Sequence, residues 1–424
     1  MRRERLCTCV ILVLLLAFLP PSLGEIPPAK VLLLGSIGQI PLIGSWFEAD
    51  PLTYPTYVPA CTHLTNMDGE MIKRYIRLYF PRNYERLLEY EYMVLPGVET
   101  AHFTQKQQNM IHDSILEEGL GAMQTRSVQS MASFLANEWA DSIISEAFPN
   151  DADAVVRQRF AWEHLRMRFV INTNPDIPPI FKPYKNLEGV EPVLTPGTTC
   201  IAIPREGAVV TSYTVGNYPA GYPGTYPDPG FSVPGWMPHT MFWTYGEGTT
   251  WTHHDMLGGD NYWQPAINPY VPDMILAEFI FATGRELPDD VMLLHRLRRK
   301  FLEFRSTRGF IYSLLDFIDR FGASTDTVVS RVAEISANSM EAEQLYLQGR
   351  YDGSREVMGT AILELESTRE DAMRLKDQAL LWTYLVEWIA VSGTLLLVGF
   401  ATWTLMVRRR LYREVATTRL LQAD

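Results

Sequence analysis

Between Trp388 and Val407 the chain runs for twenty residues without a charge, and Arg408, Arg409, Arg410 and Arg413 follow at once. As a helix at about 1.5 Å per residue, such a stretch measures roughly 30 Å, the thickness of a bilayer's hydrocarbon core. Trp382, Tyr384 and Trp388 stand at one edge and Trp403 near the other, where amphipathic rings favour the headgroup layer. Glu387 falls at the outer boundary, within reach of water. A buried core helix is the other reading of such a run, and its length and flanks disfavour it. Basic residues next to a span mark the cytoplasmic side. The expected topology is therefore single-pass in the cell membrane, with the N-terminal bulk outside, a short C-terminal tail in the cytoplasm, and the lipid bilayer as partner through Trp388–Val407.

The start of the chain agrees with export. Arg2, Arg3 and Arg5 precede an apolar run from Cys9 to Leu19, too short to cross a bilayer, and Pro20, Pro21 and the small residues around Gly24 follow. This is the layout of a cleaved signal peptide, with an uncleaved anchor as the alternative. The expected organisation is a signal peptide over 1–24, an α/β domain over 25–285, a helical stalk over 286–380, the transmembrane helix over 381–407 and the tail over 408–424.

Roughly 355 residues then lie outside, enough for one large or two modest domains. Hydrophobic residues make up 47%, so a packed core is expected, and a net charge of −12 (37 Lys+Arg against 49 Asp+Glu) disfavours nucleic acid as a partner. Beyond the leader only Cys61 and Cys200 remain. Outside the cell they could form a disulfide, or they could be two buried thiols.

Residues 30–210 alternate strands with helices. Apolar runs at Lys30–Leu34, Tyr92–Leu95, Gly121–Gln124 and Phe169–Ile171 read as strands. Helices are expected at Glu70–Leu78 and from Thr104, where Thr104 and Gln107 form a capping box and Gly119 ends the helix. This pattern predicts a doubly wound, mostly parallel sheet. Further on, Ala208–Tyr213, Thr240–Tyr245 and Thr249–His253 alternate like strands, the last two joined as a β-hairpin extension through Gly246-Glu247-Gly248. Val271–Thr283 reads as a helix. The segment 287–380 reads as three helices, the last running into the membrane without Pro or Gly from Thr360 to Ser392. The basic group Arg296, Arg298, Arg299 and Lys300 is expected on a solvated helix face.

Two stretches carry candidate chemistry. Trp251-Thr252-His253-His254-Asp255 is the most reactive-looking, with His239 and Asp260 nearby. Adjacent histidines on a strand point to opposite faces, so His253 and His254 do not readily share one metal ion, and no metal site is expected. One of them buried and hydrogen-bonded, with the other exposed, is the plainer reading. The aromatic loop from Tyr213 to Trp236 could bind carbohydrate or a protein partner, or pack on its own domain. No cofactor motif is present.

The stretch Tyr90-Glu-Tyr-Met-Val-Leu-Pro-Gly97, then Phe103-Thr-Gln-Lys-Gln107, then Glu118-Gly-Leu-Gly-Ala-Met123, and later Trp243-Thr-Tyr-Gly-Glu-Gly248, resembles in order the class I glutamine amidotransferase-like domain, a flavodoxin-like fold, in the variant found in membrane-attached proteins. The resemblance covers residues 30–285 and implies a Cys-His-Glu site with the cysteine on an elbow after the third strand. Here that elbow falls at Gln124–Ser127 and holds no cysteine. Ser127 lacks the glycine frame of a serine elbow. The resemblance thus implies a pseudoenzyme serving as a binding or assembly module. An extracytoplasmic hydrolase using His253, Asp255 or a metal is the alternative, and a subunit of a membrane complex docking through helices 325–380 is another. A pocket at the carboxyl ends of the strands would be lined by Ser36, Glu99, Thr125, Ser127, His253 and Asp255.

Overall fold

The computed structural model describes residues 27–38, 40–62, 67–125, 142–151, 167–191, 203–216, 236–253, 257 and 262–420. The chain divides into two units. One comprises residues 1–301 with 343–355, and the other residues 302–342 with 356–424. Ser127, Cys200, His254, Asp255, Asp260, the leader and most of the aromatic loop lie outside the described residues.

The first unit is mixed α/β, built on an eight-stranded sheet. In chain order the strands are β1 (Ala29–Gly35), β2 (Thr53–Pro59), β3 (Tyr92–Pro96), β4 (Gly121–Thr125), β5 (Asn150–Asp151), β6 (Met167–Ile171), β7 (Ile203–Pro204), β8 (Val209–Gly216), β9 (Trp236–Tyr245) and β10 (Gly248–His253). The sheet order is β2-β1-β3-β4-β10-β9-β8-β6, while β5 and β7 form a separate two-stranded pair. The first five strands of that order are mutually parallel and the last three join antiparallel. The expected strand at Phe169–Ile171 is therefore present, but as an antiparallel edge strand on β8 rather than a member of the parallel array.

Side-chain pattern explains the parallel part. In β1, Val31 and Leu33 enter one core cluster while Leu32 and Leu34 enter the other, so a strand covered on both faces reads as a continuous apolar run. The first cluster takes its helical side from α1 (Ile40–Glu48). The second takes it from α2 (Gly69–Tyr79) and α4 (Gln105–Glu118), with the one-turn α3 (Tyr84–Leu87) lying between those two in the chain. The Asp68 carboxylate accepts from the Met71 amide to start α2. The capping box of Thr104 and Gln107 starts α4, and Gly119 at φ 78° ends it. The hairpin from β9 to β10 closes against the last turn of α4. A Cβ on Gly246 would stand 2.0 Å from the Leu116 carbonyl oxygen, and one on Gly248 2.6 Å from that of Ile115. Backbone meets backbone there, which only glycine permits. Helix α5 (Val271–Ala282) is buried on almost every side and belongs to the first cluster.

The second unit is helical. It takes the later part of α6 (Val291–Asp319), most of α7 (Asp326–Leu347) and most of α8 (Tyr351–Leu420). Phe304, Ile311, Leu315 and Ile318 are buried on α6, Val328, Val332 and Ile335 on α7, and Met358, Ala361, Leu365, Ala372 and Ala379 on α8. The recurrent steps of three, four and seven are those of helices packed along one stripe. Helix α8 is unbroken for 70 residues. It contains an eighteen-residue window long and apolar enough to cross a membrane, none of it buried.

Candidate functional site

In an open sheet with parallel strands, ligands gather beyond the carboxyl ends, where the strand order changes direction. Here that point lies between β1 and β3. Gly35 is the last residue of β1, and a Cβ there would fall 2.3 Å from the Pro96 carbonyl oxygen, so the two strand ends close tightly. The Ala60 amide donates to the Gly35 carbonyl (2.9 Å) and the Glu99 amide to the Ala60 carbonyl (3.1 Å), which ties the segments after β1, β2 and β3 together.

That stitching assembles a polar cluster. Thr62 Oγ1 donates to Glu99 Oε1 at 2.9 Å, and Cys61 Sγ reaches the same oxygen at 3.6 Å. His102 Nε2 bonds the other carboxylate oxygen. Cys61 is fully buried, while the Glu99 and His102 side chains keep 19% and 10% exposure. Ser36 is buried at the end of β1 and accepts from the Gly38 amide. An attacking thiolate needs a cation beside the sulfur. Cys61 instead faces a carboxylate, and the imidazole sits on that carboxylate's far oxygen. The arrangement offers acceptors and a donor for recognition more readily than a nucleophile.

Next to it, a groove of about 410 Å³ is lined by Ile37, Ile40, Pro41, Glu48, Tyr57 and Pro59. Tyr57 Oη donates to Glu48, and burial together with that carboxylate raises the phenol's pKa. Gly44 makes room for the ring, because a Cβ there would stand 2.2 Å from it.

His253 has a different role. It ends β10 opposite Thr125, but its side chain is fully buried, with Nε2 2.8 Å from Glu278 Oε2 and its ring edge-on to Trp263. Burial drives the Glu278 carboxyl pKa well above its ordinary value, with His239 acting in the other direction. The folded protein thus holds a proton on Glu278 that the unfolded chain releases. Stability from this site is full below the ordinary carboxylate value of 4.5 and is lost as pH rises toward the folded pKa. We expect Glu278→Gln, which keeps a donor to His253, to remove a loss of up to about 1.4 kcal/mol per pH unit in that window. Urea melts of both proteins at several pH values check this, the variant gaining on the wild type as pH rises.

A third polar group was invisible in the sequence. Arg298 is not on a solvated face. It is buried, with Nε 2.6 Å from Asp50 Oδ2 and Nη1 2.7 Å from Asp273 Oδ1. His295 Nδ1 lies 2.7 Å from Asp273 Oδ2, and Tyr346 Oη donates to Asp50 Oδ2 at 2.8 Å. Burial alone would lower the guanidinium's pKa, but Tyr346, Asp50 and Asp273 outweigh it and hold it charged.

Of the residues expected to line one pocket, Ser36 and Glu99 reach the strand ends near the switch point. Thr125 ends β4, and His253 is enclosed in the core. The sequence reading missed His102 and Thr62. His102 had one signal, its place a few residues past the strand expected at Tyr92–Leu95, and Thr62 had none, because the strand before it was not expected. Among the described residues no group of three or more His, Cys, Asp or Glu is placed to hold a metal ion.

No family model matches the sequence, and no curated protein matches it. Two solved structures are similar. A cytoplasmic protein of Salmonella typhimurium LT2 is 14% identical over 60% of this chain and 99% of its own, with a TM-score of 0.41. A second cytoplasmic protein of Salmonella typhimurium is 15% identical over 60% of this chain and 98% of its own, also with a TM-score of 0.41.

Proposed function

We propose that this chain is a single-pass membrane protein whose α/β unit is a noncatalytic binding module, with its ligand site at the polar cluster of Ser36, Thr62, Glu99 and His102. The observation that carries the reading is the place of Glu99. It occupies both the thiol and the imidazole that a cysteine hydrolase would need to face each other. The uncharged, exposed segment of α8 supports anchoring to the bilayer, and the arginines after it support a cytoplasmic tail with the module on the other side. The doubly wound, flavodoxin-like reading and the resemblance to amidotransferase-like domains draw support from the order β2-β1-β3-β4-β10 and from the cores on both faces. Burial of His253 weighs against a hydrolase built on it.

The test is an assay of the full-length protein in lipid nanodiscs against panels of amides and esters. We expect no turnover above a buffer control. Turnover lost in Cys61→Ala or in His253→Ala would overturn the noncatalytic reading and assign the chemistry to that residue.

A further inference from the structure

The turn from α6 into α7 carries two partly exposed aromatic rings. Phe317 and Phe321 are 40% and 39% exposed, with ring centroids 4.8 Å apart, at the turn from α6 into α7. Adjacent exposed rings form a small apolar patch, the kind of surface that interaction sites use.

Their level along α8 can be read within this unit. Arg331 Nη1 on α7 lies 3.0 Å from Asp371 Oδ2 on α8, and the three-residue turn after Leu347 makes those two helices antiparallel. Moving from Arg331 back to Asp326, where α7 begins, is five residues, which on α8 leads from Asp371 to about residue 376, roughly 7.5 Å further along, and the non-helical residues 322–325 carry the chain on from there. Burial on α8 stops shortly beyond that level. Ala372 is 0% and Ala379 6% exposed, whereas Leu381 and Trp382 are each 64% exposed. The α6–α7 turn therefore lies near the end of the covered part of α8, just short of Trp382 and Tyr384, the aromatic belt expected at the outer face of the bilayer.

We propose that this turn is a second, shallow membrane contact, with Phe317 and Phe321 resting in the phospholipid headgroup layer that α8 enters. The proposal rests on the membrane reading of α8. Attraction between charges does not drive it. Asp316, Asp319 and Asp326 outnumber Arg320, which is already paired with Asp316 at 2.6 Å, so the turn is acidic. The contact is apolar burial at the interface, the role in which aromatic side chains are favoured. It would fix the tilt and rotation of α8 at its entry, because two points of contact constrain a helix that one leaves free to swivel.

The experiment places the photocrosslinker p-benzoylphenylalanine, one site at a time, at positions 317, 321, 340 and 396 of the full-length protein in phosphatidylcholine nanodiscs. Met340 is 58% exposed toward the other end of α7, and Leu396 is 75% exposed within the uncharged segment. We expect lipid adducts at 317, 321 and 396 and none at 340. Adducts at 396 without adducts at 317 or 321 would overturn the proposal and leave α8 as a span. No adduct at 396 would overturn the membrane reading beneath it. A protein–protein adduct at 321 would give the surface to a second copy and also overturn the proposal.

Discussion

Arg298→Met lowers the stability of the protein by about 3–5 kcal/mol, the usual cost of removing one partner from a buried ion pair. The guanidinium is 5% exposed and lies between Asp50, which is 0% exposed, and Asp273, which is 2% exposed. Without it both carboxylates stay in the core without the guanidinium, Asp50 held by Tyr346 and Asp273 by His295. Arg298→Lys retains the charge and loses the fork that reaches two carboxylates at once, so an intermediate loss is expected. The triple variant Arg298→Met, Asp50→Asn, Asp273→Asn recovers most of the deficit, because neutral amides remove the uncompensated charge. Denaturant melts followed by tryptophan fluorescence report the unit directly, since Trp251 and Trp263 are fully buried. A loss below about 1 kcal/mol for Arg298→Met would place the cluster in a wetter setting than its burial indicates.

Paired substitution at the centre of the uncharged segment has the other large effect. Leu396→Arg and Leu397→Arg each cost about 2.5–3.5 kcal/mol of insertion free energy at the middle of a span. The two positions are 75% and 72% exposed, so no protein contact among the described residues shelters the new charges. Together they should move the chain from fully integrated to largely unintegrated when it is translated in the presence of microsomes. The double substitution Leu396→Ile, Leu397→Ile serves as the control and should integrate like the wild type. If the arginine variant integrates equally well, the segment is not held in hydrocarbon.

The parts of this protein that were legible from sequence share one property, that their cause is local. Thr104 and Gln107 close a capping box within one turn, and Gly119 ends the same helix at positive φ, so start and stop could both be read. Gly246 and Gly248 marked a hairpin because the close approach to α4 requires them. Strand β2 was not legible. Pro55 and Pro59 argue against a strand, and only an edge position, paired with β1 alone, accommodates them. Helix α1 was missed for a similar reason, since Pro41 and Gly44 break its pattern and Gly44 is there to admit Tyr57. The direction of β6 depends on a partner some forty residues later.

The candidate site divides the same way. Ser36 and Glu99 follow apolar runs and could be placed at strand ends. The meeting of Glu99 with Cys61, 38 residues earlier, depends on the order in which β1, β2 and β3 pair, and that order is a tertiary fact. Arg298 shows the limit most clearly. In the sequence it is one of four neighbouring cations, and its partner Asp50 lies 248 residues away, so nothing local separates a buried arginine from a solvated one.

Anchoring depends on whether residues 388–407 lie in the bilayer. Flotation of the full-length protein with liposomes through a sucrose gradient in alkaline carbonate tests that directly, because high pH strips proteins held only at the surface. A protein anchored through this segment rises with the lipid and stays there. Recovery at the bottom of the gradient with soluble proteins would contradict it.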